Sequence, residues 1–346
     1  MGNYVKLPNE IISFLSYKGA IQNRSAGTVK EYSFEICAFF RYVLALRDGK
    51  DIASLEDFAD EDVSKVDAAF VRSITDNDIY SYLIFLASLE NKPSTRARKL
   101  TTIKAFFKYH TAKSHLLEDD PSANIDSPRV KQALPKYLNL NDSIRLLESV
   151  PSDDPNHARD YAILTLFLNC GIRLSELAGL NLADIDSDME KMVVTGKGNK
   201  MRTVYLNDAC RSALRSYLAV RQKKIAEAKV KIKDRNALFL SKFGRRISVK
   251  TVQWMVKKYL TDCGFGSYST HKLRHTAATL MYNEGGVDVR TLKDILGHEQ
   301  LNTTQIYPHV SDRNMADAIN ANPLARVKGK KKEKNGGDAG GEDSDV

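Results

Sequence analysis

Residues 271–307 open with His271-Lys272-Leu273-Arg274-His275-Thr276-Ala277-Ala278-Thr279, pass through Leu296-Gly297-His298 and end at Ile306-Tyr307. This stretch gathers imidazoles, a guanidinium and a phenol, with no carboxylate pair, reactive cysteine or metal cage beside them. The set suits one chemistry best: a tyrosine attacking a phosphodiester while cations take up the charge. Such attack loads negative charge onto the non-bridging oxygens. Arginine's planar, permanently charged fork matches those oxygens better than any other side chain. Tyrosine titrates near pH ~10 when free, so a neighbouring base or cation must help it. His271 and His298 can give acid/base or hydrogen-bonding help near neutral pH. A tyrosyl phosphodiester keeps the energy of the bond it replaces, so rejoining needs no ATP.

Two earlier segments supply the rest of the set. Arg173 sits in Gly171-Ile172-Arg173-Leu174-Ser175-Glu176-Leu177. Like Arg274 it has an apolar local context, where an idle guanidinium is costly to bury. Lys197 lies in Thr195-Gly196-Lys197-Gly198-Asn199-Lys200, between two β-rich runs that read as a hairpin spanning 190–206. From a mobile hairpin tip, Lys197 could protonate a leaving 5′-oxygen. Glu176 reads as the partner of a buried cation, and His275 as structural.

Competing chemistries lack their spacing. His271 and His275 have zinc-ligand spacing, but Lys272 stands where a metalloprotease helix carries Glu. Gly196-Lys197-Gly198 is not G-x4-G-K-[ST], and it joins two strands rather than a strand and a helix. No G-x-S-x-G elbow exists for a serine nucleophile. No metal and no cofactor is expected.

With these motifs together, the chain resembles the tyrosine site-specific recombinases of the phage-integrase family, and is most similar to their Xer-type members over nearly all of 1–325. Arg173 stands in the first arginine box, Lys197 at the hairpin lysine, and His271 and Arg274 in the H-x-x-R box. His298 stands in the L-G-H box, and Tyr307 follows it by nine residues. The resemblance implies that Tyr307 forms a 3′-phosphotyrosyl link while Arg173, Arg274 and His298 hold the scissile phosphate. Lys197 is implied as general acid and His271 as a base-like partner. It further implies four protomers, of one kind or two, exchanging strands of double-stranded DNA through a Holliday junction. A last helix, from Ser311 to Ile319, is implied to dock on a neighbouring protomer. A type IB topoisomerase and a non-catalytic DNA-binding protein are the alternatives; the complete six-residue set argues against the second.

The expected fold is mainly α with a small β-sheet. Residues 1–117 form a four-helix, SAM-like core-binding domain, 118–136 a linker, 137–325 an α+β catalytic domain, and 326–346 a disordered charged tail. In the first domain, Gly19 closes a helix begun near residue 7 and Ser25 caps the next. The run 51–70 carries seven Asp/Glu against one Lys and reads as a solvated loop or short helices. In the second domain, the apolar run Ala162–Leu168 must be central to the core. Ala237–Leu240 reads as a strand completing the small sheet, and Thr270 as the cap of the helix carrying His271. A linker with a basic middle, joining a helical domain to a larger one, could let the two halves close around a duplex.

The net charge of +9 fits a polyanionic partner. The tail 326–346 holds six Lys/Arg and five Asp/Glu, so nearly all of the excess lies on the body. Candidate DNA contacts are Arg96, Lys99 and Lys104 on one helix, Arg245 and Arg246 in a basic turn, and Lys250, Gln253 and Lys257 on another helix. No run of about eighteen apolar residues exists to span a membrane. The start lacks a signal-peptide core, and Cys37, Cys170, Cys210 and Cys263 are scattered singly. These features point to the cytoplasm, with buried free thiols. No arm-binding domain is expected ahead of the first helix, which argues against integrases that use arm sites; with the acidic run and the charged tail, chromosome-dimer resolution and mobility of an integrated element both stay open.

Overall fold

The computed structural model describes residues 7–130, 136–227, 231–296 and 317–327. Contacts divide the chain into two compact units, Met1–Ala133 and Leu134–Val346.

The first unit is helical: α1 Asn9–Ser16, α2 Ala26–Arg47, α3 Ala68–Arg72, α4 Asp76–Ser88 and α5 Pro93–Ala112. The long helices meet on an aromatic core of Phe14, Phe39, Phe40, Tyr82, Phe106 and Phe107, all fully buried. The rings pack edge to face, as Phe14 does on Phe106 at 5.3 Å between centroids. Ser25 caps α2 by accepting from the Thr28 N–H. Gly19 does not close the first helix; it lies inside a π-turn, Tyr17–Ile21, that prolongs α1.

Two other expectations change in this unit. The acidic run is not merely solvated, because Phe58, Val63 and Val66 in it are buried. Phe58 packs against Tyr42 and Phe85 at 5.8 and 5.6 Å. Its carboxylates are mostly exposed, but Glu61 is buried and holds Lys50. The presumed linker begins later than residue 118. Ser122 and Ile125 are buried, Ile125 among the core of this unit.

The second unit is built on α7, His157–Cys170, whose residues Ala162–Cys170 are all buried. Around it lie α6 Leu140–Glu148, α8 Leu174–Gly179, α9 Asp208–Ala226, α10 Val249–Asp262, α11 Thr270–Asn283 and α12 Val289–Leu296. Strands β1 Lys191–Thr195 and β2 Met201–Tyr205 pair antiparallel, with Val194 opposite Arg202. Among the described residues this hairpin is the whole sheet. Ala237, Leu238 and Phe239 are buried, but the run Ala237–Leu240 is not a strand: it makes single bridges, Ala237 to Asn181 and Leu240 to Arg246, with no ladder on either side.

Thr270 is the first residue of α11, and Ser269 occupies the cap position. The chain near its end is pinned by amides. Asn322 donates to the Leu168 carbonyl at 3.1 Å, and Asn207 donates to Asn169 at 2.8 Å and to the Ile319 carbonyl at 3.3 Å. All four cysteines are free and buried. No described helix is long and apolar enough to cross a membrane. The expected last helix lies largely, and the charged tail almost wholly, outside the described residues.

Candidate active site

The site starts where α7 stops. Gly171 takes a left-handed conformation, φ 57°, and turns the chain off the helix. A Cβ there would come within 2.6 Å of the Leu296 side chain, so glycine also admits the end of α12. Two residues on, Arg173 occupies the cap position of α8. Its backbone N–H donates to Glu176 at 2.9 Å and its Nη1 to the same carboxylate at 2.7 Å. Glu176 is buried and also accepts from Arg202 Nη2 at 2.9 Å. Arg202 in turn donates through Nη1 to the Ile295 carbonyl, at the end of α12, at 2.7 Å.

Arg274 enters from α11. It is buried, and its guanidinium donates to the carbonyls of Gly171, at 2.6 Å, and Leu296. Arg173, Arg274 and His271 therefore line one cleft of about 400 Å³, together with Ile172, Ser175, Val249 and Thr270. The hairpin meets the same place. A Cβ on Gly196 would lie 3.3 Å from Glu176 Oε1 and 3.9 Å from Arg173 Nη1. Lys197, the next residue, begins the turn; the position of its side chain lies outside what is described. His298 and Tyr307 also lie outside the described residues.

Arg173 and Arg202 thus share the Glu176 carboxylate, and Arg274 lies close enough to feel both of their charges, so the local field is positive. Burial pushes the Glu176 carboxyl up, but the Arg202 charge and the hydrogen bonds from Arg173 outweigh it, so its pKa lies below the ordinary value. Burial, then the charges of Arg173 and Arg202, hold Arg274 down to about 10, which leaves it cationic at neutral pH. An anion entering the cleft relieves this repulsion, as a phosphodiester would.

The sequence profile of the phage integrase family matches residues 136–314. The chain belongs to the phage integrase family. A tyrosine recombinase XerC of Caldanaerobacter subterraneus subsp. tengcongensis is 46% identical over 93% of this chain and 89% of its own length. The XerC of Natranaerobius thermophilus is 33% identical over 90% of this chain and 97% of its own. Among solved structures, a XerH site-specific recombinase bound to a palindromic difH substrate, in a post-cleavage complex, shares the fold. Its TM-score is 0.63 at 19% identity, covering 91% of this chain and 96% of that one. A lambda integrase dimer bound to a COC′ core site matches with a TM-score of 0.58 at 15% identity, over 87% and 98%.

Within this family member, several expected residues have other local duties. His275 is not a packing residue: it is exposed, and its ring meets His271 edge-on at 4.8 Å. Burial, His271 and Arg274 lower its pKa. Arg246 is better read as a brace than as a phosphate contact. Its Nη1 donates to the carbonyls of Gly179 and Leu180, both at 2.7 Å, its Nη2 to Asn181 at 2.6 Å, and its Nε pairs with Asp234 at 3.3 Å. It satisfies carbonyls at the end of α8, which would otherwise lack donors. Arg245, Lys250 and Gln253 are exposed; Lys257 is exposed too and donates to the Gly266 carbonyl. In the first unit, Lys99 Nζ lies 4.0 Å from Glu35, and Lys104 Nζ lies 3.5 Å from the Ala123 carbonyl. Arg96 is half-buried there, with its Nε lacking a partner.

Sequence reasoning gave Arg202 no role. The signal was present in the strand alternation: Arg202 shares a face with Val204, which is buried, so a cation was directed at the core.

Proposed function

We propose that this chain is a site-specific DNA recombinase that cuts and rejoins double-stranded DNA without metal or ATP. The observation that carries the reading is the convergence of Arg173, Arg274 and His271 on one cleft from two distant segments of the chain. The Tyr307 phenolate attacks the scissile phosphorus. A phosphorus–oxygen bond forms to the tyrosine, and the bond to the 5′-oxygen breaks. Lys197 gives that oxygen its proton, and His271 assists removal of the phenol proton. Arg173, Arg274 and His298 neutralise the two non-bridging oxygens. The reverse attack by a 5′-hydroxyl of another strand reseals the DNA, so repeated exchange passes through a Holliday junction.

The positive body, the shared fold with recombinases that hold DNA, and the curated XerC relatives support this reading. In it the first unit is the core-binding domain and the second the catalytic domain. Four protomers assemble on paired sites, each lending its last helix to a neighbour, in the cytoplasm. Exposed Arg245, Lys250, Gln253 and Lys257 contact the duplex.

The test is incubation with a nicked suicide substrate in EDTA and without ATP. The wild-type chain traps a covalent protein–DNA adduct and Tyr307→Phe traps none. An adduct persisting in that variant overturns the nucleophile; a strict magnesium requirement overturns the mechanism.

A further inference from the structure

The second unit holds another cavity, at the opposite end of α7 from Arg173. Its volume is about 370 Å³, within the size range of small-molecule sites. Tyr217, Val220 and Leu240 give it an apolar wall. Arg159, Arg221, Lys224 and Lys242 also line it, and among the described residues no carboxylate does.

These cations are held mainly by carbonyls. Arg221 is only 7% exposed; its Nη2 donates to the carbonyls of Arg235 and Ala237, at 3.0 and 3.1 Å, and its buried Nε has no partner. Lys224 Nζ donates to the Pro155 carbonyl at 2.6 Å. Arg159 donates to the Leu240 carbonyl at 3.1 Å and pairs with Asp160 at 2.8 Å. Asp160 must also accept from Tyr259 at 3.1 Å. Burial first, and then the charge of Arg159, lower the Lys224 pKa, with Asp154 and Asp160 opposing them in part. The N-terminus of α7 adds to the same field, since Pro155 and Asn156 line the cavity ahead of this 14-residue helix.

We infer that this cavity binds a small amphipathic carboxylate, with its apolar body on Tyr217, Val220 and Leu240 and its charged end beside Arg221 and Lys224. A bare inorganic anion would leave the apolar wall wet. A neutral apolar molecule would leave the cations desolvated without a counter-charge. The cavity is too small and too apolar for a duplex backbone. It lies roughly 20 Å from the catalytic cleft, at about 1.5 Å per residue along α7, so the inference does not rest on the DNA reaction. α7 is the rod on which Gly171 and Arg173 are mounted, and a ligand at its start touches that mount.

The probe is octanoate, titrated calorimetrically into the full chain beside 1-octanol and acetate. Octanoate is expected to bind at one site, and the other two at least tenfold more weakly. Lys224→Ala, which removes a cation, and Val220→Trp, which fills the cavity, should each weaken octanoate at least tenfold. Both should keep the wild-type melting temperature and wild-type adduct formation on the suicide substrate. Absence of saturable octanoate binding, equal binding of 1-octanol, or unchanged binding in both variants overturns the assignment.

Discussion

Replacing Glu176 by Gln tests whether the arginine pair is held by one buried carboxylate. The native side chain is 1% exposed and accepts three hydrogen bonds: from Arg173 Nη1 at 2.7 Å, from Arg173 N at 2.9 Å and from Arg202 Nη2 at 2.9 Å. Hydrogen bonds to a charged group contribute about 1.5–3 kcal/mol each. Glutamine keeps one acceptor oxygen but turns an amide NH2 toward a guanidinium, and it leaves Arg202, 16% exposed, without its counter-charge. Breaking a buried ion pair costs about 3–5 kcal/mol. We expect a loss of about 3 kcal/mol in urea unfolding followed by circular dichroism. Arg173 should also lose its fixed direction, and an error of about 1 Å at a reacting group costs about a hundredfold in rate. Single-turnover cleavage of the suicide substrate should therefore slow by ten- to a hundredfold. The sign of the pH effect follows from the lowered pKa. The stability Glu176 supplies is complete above the unfolded-state carboxyl value of about 4.3 and is lost as pH falls through the lower folded-state value. A Glu176→Gln chain that unfolds within about 0.5 kcal/mol of wild type and cleaves at the wild-type rate refutes the argument.

Gly171→Ala places a Cβ at φ 57° and 2.6 Å from the Leu296 side chain, and should cost about 1–3 kcal/mol in the same unfolding assay. Gly179→Ala, where a Cβ meets nothing within 4 Å, is the matched control and should be near neutral. Arg246→Ala should lower thermal stability without changing the salt dependence of DNA binding, because its guanidinium braces α8. Lys250→Ala should leave stability alone and reduce the slope of log affinity against log salt by about one; equal slopes for wild type and this variant count against a phosphate contact. His110 is buried, donates through Nε2 to the Glu10 carbonyl at 3.1 Å, and is held down to about 4 by burial. The unfolded chain takes up that proton near pH ~6.5, so stability should fall as pH drops from about 6.5 toward 4, by an amount on the order of 2 kcal/mol. His110→Gln should flatten that part of the urea-midpoint profile, and an unchanged profile would remove His110 as its cause.

The order of helices and the hairpin were legible because local signals coincide with them. Ser25 caps where it should, Gly171 ends α7, and the Gly196–Asn199 turn separates two β-rich runs. The errors share one cause. Gly19 reads as a terminator only if the next residues have no tertiary partner, and the Ala237–Leu240 run reads as a strand only if a ladder is waiting for it. The acidic run hid Phe58, Val63 and Val66 among carboxylates, so composition outweighed apolar residues that α2 and α4 bury.

The sequence alone nominated the candidate reacting groups, because phosphoryl chemistry dictates residue types and the motifs fix their spacing along the chain. Only the tertiary structure decided which arginine does what. Arg173, Arg202, Arg246 and Arg274 are chemically identical, and what separates them is the set of oxygens each can reach. Arg246 reaches the carbonyls of α8 and becomes a brace; Arg202 reaches Glu176 and Ile295 and ties the hairpin to α12. Arg173 and Arg274 reach the cleft from residues about a hundred apart in the chain. Spacing along a sequence cannot bring such groups together; that requires the packing of α7, α8 and α11 around Gly171, where an added Cβ would crowd the Leu296 side chain.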